Sequence, residues 1–162
     1  MALKKSPPIS QTNINLRAHH LFTLLQLHYC GAHRSRVQEL FFRVFKRSQF
    51  KKMGYPDSRG FADHMVDSML LILKGQVAQA TIVATRDAVC QACPQKRDGH
   101  CHVMGRDYSD AFLSMADEAV IRNSNGVLEV GKPYPPKYFI ENRAIIVGAL
   151  IVAGLEMRGA EK

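Results

Sequence analysis

The chain predicts a mostly α, α+β fold: about five helices, two or three short strands, and a metal loop between helices three and four. Apolar residues recur at helical spacing in blocks separated by Gly- and Pro-bearing turns. Only brief β-branched runs, chiefly residues 80–84 (ATIVA), read as strand. Three of the four cysteines fall within twelve residues, as Cys90-Gln-Ala-Cys93-Pro94 and then Cys101. With 162 residues and 46% apolar content the chain buries one ordinary core without a disulfide scaffold. A single metal-binding domain over residues 13–162 therefore follows a polar, Pro-bearing tail at 1–12, which reads as disordered.

Each element has its own signal. Ile14-Asn15-Leu16-Arg17 alternates apolar and polar as a short strand does. From Ala18 the spacing turns helical, with Leu21, Phe22, Leu24, Leu25 and Leu27 on a broad apolar face and Gly31 as the stop. A second helix is expected over Ser35–Phe50, where Val37, Leu40, Phe41, Val44 and Phe45 form the stripe of a helix packed on a core. Residues 54–60 (GYPDSRG) read as loop. A third helix runs from Phe61 to Lys74, turning Met65, Met69, Leu70, Ile72 and Leu73 inward, and Gly75 ends it. The strand at 80–84 feeds directly into the cysteine loop. A fourth helix is expected from Asp107 to Ile121, then a turn at residues 123–126 (NSNG) and a strand at Val127–Val130. After Pro133, Pro135 and Pro136 a last helix spans about Lys137–Met157.

Composition excludes several classes. No apolar h-region follows a basic start, so no signal peptide is read. The most apolar run, Ala144–Leu155, is too short to span a bilayer and reads as a buried helix, so no membrane partner is expected. A cytoplasmic location follows, where a Cys-x-x-Cys pair is more often a metal or redox motif than a disulfide. The net charge of +8 favours acidic partners without naming one.

Thiolates two residues apart can grip one ion or one cluster edge, and a third cysteine eight positions on can close the site from a loop. Four soft ligands suit an iron–sulfur cluster, 4Fe-4S in the first instance, on Cys30, Cys90, Cys93 and Cys101. They suit zinc equally, with His102 replacing Cys30 in a Cys90, Cys93, Cys101, His102 set. The proline after Cys93 fits the habit of bacterial ferredoxin motifs. Cys30 also fits a core thiol at a helix end. His19 and His20 open the first helix. Neighbouring helical residues point about 100° apart, which allows one of the two to face a site as proton donor or sulfur-tuning partner. A bond to a helix-end carbonyl is the plainer alternative. His28, His33 and His64 carry no special claim.

Arg17-Ala18-His19-His20-Leu21-Phe22 resembles the Arg-x-His-His-Leu-Leu-Cys opening of a family of small bacterial and archaeal proteins. That family is catalogued as a domain of unknown function and suspected of binding an iron–sulfur cluster. Gly54-Tyr55 and the segment Phe61–Met65 are similar to the family's Gly-Tyr and following Phe-Val-x-x-Met helix. Ile82-Val83, Asp87 and Val89-Cys90-Gln91-Ala92-Cys93-Pro94 with Cys101 resemble its cysteine segment, and Asp107 matches an acidic residue near the next helix. The likeness covers about residues 14–115 and implies the three-cysteine loop, but no activity. It departs at Thr23, where the family has cysteine, and in a basic helical insertion at 33–53. Cys30 lies seven positions after Thr23, on the same helix face about two turns on, so it replaces the missing thiol only if the centre sits lower along that helix or the helix ends early.

The insertion carries Arg34, Arg36, Arg43, Lys46, Arg47, Lys51 and Lys52 against Glu39 alone. A solvated face is the ordinary reading and a phosphate-contacting surface the sharper one. The expected function is an iron–sulfur protein with a redox, sensing or accessory catalytic role, served by a redox partner. The alternative is a structural zinc module whose basic surface meets nucleic acid or another acidic macromolecule. A Cys90–Cys93 dithiol ranks third, for want of a thioredoxin-like pattern. Whether the chain is an enzyme is left open. Apolar helix faces permit a dimer.

Overall fold

The computed structural model describes residues 13–55, 57–94, 96–97, 100–101 and 110–160. The 1–12 tail, His102 and the expected helix start at Asp107 lie outside them. The fold is mostly α with a small sheet. Among the described residues there are seven α-helices rather than about five, because the last helix is two and the cysteine loop contains a short one.

Strand β1 (Asn13–Arg17) pairs in parallel with β2 (Gln79–Val83), with Ile14 opposite Ala80 and Arg17 opposite Val83. The crossover between them carries a single 3-10 turn (Ala18–His20) and the helices α1 (Leu21–Tyr29), α2 (Arg36–Lys52) and α3 (Ser58–Leu73). Then come α4 (Ala88–Gln91), a two-residue ribbon of β3 (Lys96–Arg97) with β4 (His100–Cys101), α5 (Asp110–Asn123), β5 (Pro133–Tyr134), α6 (Pro136–Glu141) and α7 (Arg143–Ala160). Strand β5 runs antiparallel to β2. It lies at the sheet edge, where proline's missing N–H costs nothing.

The helix stops are those the glycines predict. Gly31 takes φ 67° after α1, and the N–H of Ala32 closes back on the Leu27 carbonyl at 3.1 Å. Gly75 ends α3 in the same way. Ser35 caps α2 and Asp57 caps α3. The core forms between β1, α1, α3 and β2, with Leu16, Leu24, Val66, Met69 and Ile82 fully enclosed.

Four expectations are corrected. The stripe Val37, Leu40, Phe41, Val44 and Phe45 does not pack on the core: it faces solvent, and Phe41 is 71% exposed. Helix α2 instead buries Glu39, Phe42, Lys46 and Phe50. The reason is electrostatic, because α3 presents Asp63 and Asp67 to α2. Arg43 bonds Glu39 and Asp67, and Arg47 clasps Asp63 at 2.7 and 2.8 Å. Two of the cations expected to face water are therefore paired at a helix–helix contact.

Val127–Val130 is not a strand. The Leu128 N–H is taken by Ser124 Oγ and the Glu129 N–H by the Tyr134 hydroxyl, each at 3.0 Å, which removes the donors a ladder needs. The last helix breaks at Asn142, whose amide bonds the Tyr138 carbonyl. Nor is the apolar run 144–155 buried all round: Ile146, Ala149 and Ala153 are enclosed against α5 and the core, whereas Ile151 and Leu155 are exposed. No helix among the described residues is long and apolar enough to cross a membrane.

Candidate metal centre

The two parallel strands end side by side, and the site is built just beyond them. Strand β1 runs out into the 3-10 turn that carries His19 and His20. Strand β2 runs out through Arg86 and Asp87 into α4, whose last turn carries Cys90. Ligand sites outside the carboxyl ends of parallel strands are the general pattern for such sheets.

Asp87 organises this junction. Its side chain caps α4 by accepting the Cys90 N–H at 2.8 Å, and it also accepts the Arg17 N–H at 2.7 Å and His20 Nδ1–H at 2.6 Å. Asp117, from α5, does the same for the neighbouring turn. It accepts the His19 N–H and His19 Nδ1–H, both at 2.9 Å, and Arg17 Nε–H at 2.6 Å. Both carboxylates are fully buried. Each histidine is thus pinned by Nδ1 to its own aspartate, which leaves Nε2 as the nitrogen available to a site. His64 adds a third tie by bonding the Val89 carbonyl at 2.8 Å, fixing α4 to α3.

The electrostatics follow. Burial works against the charge on Asp117, but His19 and Arg17 outweigh it and hold the carboxyl below the usual range. Asp87 is likewise held low, burial being outweighed by His20 and the two backbone N–H bonds. His19 is pushed down, first by burial and then by His20, against the pull of Asp117. The Cys90 thiol is pushed up to about 12, by burial and then by Asp87. A thiol in that range is not the nucleophile that dithiol exchange requires, whereas a metal ion displaces the proton on binding.

One cavity of about 280 Å³ opens over this junction. Cys90, Cys93 and Cys101 all line it, together with Arg17, His19, His20, Thr23 and Lys46. One ligand-capable atom each of His20, Asp87 and Cys90 lies within 4.8 Å of the others. Asp87 already accepts three hydrogen bonds, so it serves to orient His20 and Cys90 while thiols and imidazole face the cavity. The Cys90 sulfur and the His20 imidazole, with Asp87 beside them, form a group that could hold a metal ion. The four cysteines form no disulfide.

Cys90, Cys93 and Cys101 border one cavity, but among the described residues the one group of three ligand-capable side chains whose atoms lie within 4.8 Å of one another is His20, Asp87 and Cys90. Cys30 caps the far end of α1, is exposed, and is not among the residues lining the cavity. Ten residues of helix at 1.5 Å rise set it roughly 15 Å from His20. His19 and His20 were expected to exclude one another. Both line the cavity, their rings 4.3 Å apart, because separate aspartates hold them on a wall wider than one side chain. Sequence reasoning missed Asp117, Lys46 and the positioning role of His64. An acidic residue in a helix, a cation in a basic run and a lone histidine carry no local signal of such partners. Lys46 is buried among the rings of Phe22, Phe42 and Phe50 at 5.4–5.6 Å, and burial lowers its pKa to about 8.

No protein-family model, no curated protein and no solved structure matches this chain.

Proposed function

We propose that the chain is an iron–sulfur protein whose cluster is held by Cys90, Cys93 and Cys101, with one iron position open to the cavity. The observation that carries this reading is the common cavity. A structural zinc site closes on four ligands, whereas these three thiols border a space with room for a ligand. Thr23, where the resembling family has cysteine, lines the same cavity as the three thiols. The fourth wall position therefore carries a hydroxyl, a poor iron ligand beside thiolate. The residues that carry the resemblance at Arg17, His19 and His20 also meet there.

When bound, the cluster supplies an electron reservoir and a Lewis-acidic iron. The chain's own groups supply the rest. His20 and His19, held through Nδ1, place proton-exchanging nitrogens at the cavity wall. Asp87 ties the Cys90 backbone to His20, so the two side chains share one buried anchor.

Anaerobic purification followed by iron, acid-labile sulfide and zinc assays tests the reading. Iron and sulfide in equal amounts are expected, lost in Cys90→Ala, Cys93→Ala and Cys101→Ala and retained in Cys30→Ala. One zinc per chain without sulfide would move the assignment to a zinc module.

A further inference from the structure

We propose that the cavity beside the thiols binds a small organic carboxylate, gripped end-on by the Arg17 guanidinium with its apolar body against the aromatic wall. The proposal goes beyond the metal reading and does not need the metal, because its groups stand whether or not the thiols are loaded.

Arg17 is completely buried and lines the cavity. Its Nε is taken by Asp117, but Nη1 and Nη2 have no hydrogen-bond partner among the described residues. A buried donor left unmade costs about 1–3 kcal/mol, and more on a charged group. The two nearby carboxylates cannot swing over to help. Asp117 already receives two bonds from His19, and Asp87 holds Arg17 N–H, His20 and Cys90 N–H. Cys90 acts on the guanidinium through its charge and as a side-chain hydrogen-bonding neighbour, but the contact falls short of hydrogen-bond geometry at Nη1 and Nη2. One sulfur is also a weak acceptor for two parallel donors. What the outer edge of a guanidinium fits is a pair of oxygens at carboxylate spacing.

A second buried cation favours the same charge. Lys46 is 2% exposed and lines the cavity, and its ammonium bonds the neutral Gln49 Oε1 at 3.1 Å. Among the described residues it has no carboxylate partner. Asp110 also lines the cavity but is paired with Arg86, and beside that ion pair and Gln49 the wall is largely apolar, with Phe22, Phe50, Phe61 and Met65 prominent. Inorganic phosphate would leave oxygens stripped of water against those rings, whereas an organic acid puts its oxygens on Arg17 and its carbon body on them. A volume of about 280 Å³ lies at the small end of ligand pockets, which points to a compact acid.

Calorimetric titration of the full chain, purified anaerobically, with hexanoate and 3-phenylpropanoate tests this. The probes are compared with their primary amides and with inorganic phosphate. At least one acid should bind about tenfold or more tightly than its amide and than phosphate. Equal affinity for acid and amide, tighter binding of phosphate, or no heat from either acid up to about 10 mM would overturn the proposal. Arg17→Lys keeps the charge but loses the fork, and should erase the acid-over-amide preference without changing far-UV circular dichroism. Should that variant fail to fold, the acid–amide comparison on the unmodified protein decides alone. Metal assayed in the same samples separates the two readings. Acid selectivity in metal-free protein supports this site and counts against the cluster. Full metal loading with no acid selectivity does the reverse.

Discussion

On the cluster proposed above, Thr23 is the wall position that leaves one iron open. Its side chain stands on the cavity wall with Cys90, Cys93 and Cys101 but offers oxygen where they offer sulfur. Thr23→Cys should add a fourth thiolate and slow the loss of cluster absorbance in air several-fold. Unchanged decay would place that wall position away from the open iron. Asp117 has a different task, neutralising a fully buried guanidinium. Asp117→Ala leaves that charge uncompensated and should cost about 3–5 kcal/mol of unfolding free energy. Because its folded pKa lies below the ordinary 3.8, the unfolded chain binds more protons than the folded one between the two values. This stability is complete above the ordinary value and drains away as pH falls below about 4. Urea titrations should show that loss in the native protein and a flatter profile in Asp117→Asn. Identical profiles would refute the role.

Among the elements, α2 tests how charge and apolar patterning compete. Its buried face, Glu39, Phe42, Lys46 and Phe50, is no more apolar than its exposed one, because α3 presents two aspartates to its arginines. Arg43→Ala should therefore cost about 1–2 kcal/mol in chemical denaturation, since it unties Glu39 and Asp67 at a partly buried contact. Phe41→Ser, on the exposed apolar stripe, should stay within about 0.5 kcal/mol. The opposite ranking would mean that the stripe packs inward after all. This helix also marks the limit of what the chain shows unfolded. Its ends were legible because Ser35 and Gly54 act locally, through a cap and a left-handed turn. Its orientation was not, because the deciding acids sit on another helix. The same holds at the site. Cysteine spacing is local and exposed the three-thiol loop, whereas the aspartates that pin His20 and His19 lie 67 and 98 residues away. Hydroxyl and amide caps at Ser124 and Asn142 likewise overrode the apolar pattern that suggested a strand and one long helix.

For the whole molecule the question is whether metal holds the fold or the fold holds the metal. Small zinc modules unfold on metal removal because they lack another core. Here Leu16, Leu24, Val66, Met69 and Ile82 close a core between β1, α1, α3 and β2 that contains none of the three clustered cysteines. Only Cys93 packs against its border. Removing metal with a chelator and reductant under anaerobic conditions should therefore leave the far-UV spectrum nearly intact. The thermal midpoint should still fall, because a ligand that binds only the folded state stabilises it by mass action. At about 2–4 °C per kcal/mol for a chain of this size, a loss of about 3 kcal/mol lowers the midpoint by roughly 6–12 °C. Collapse of the helical signal on chelation would make the thiol loop the keystone of the fold. An unmoved midpoint would mean that nothing had been bound.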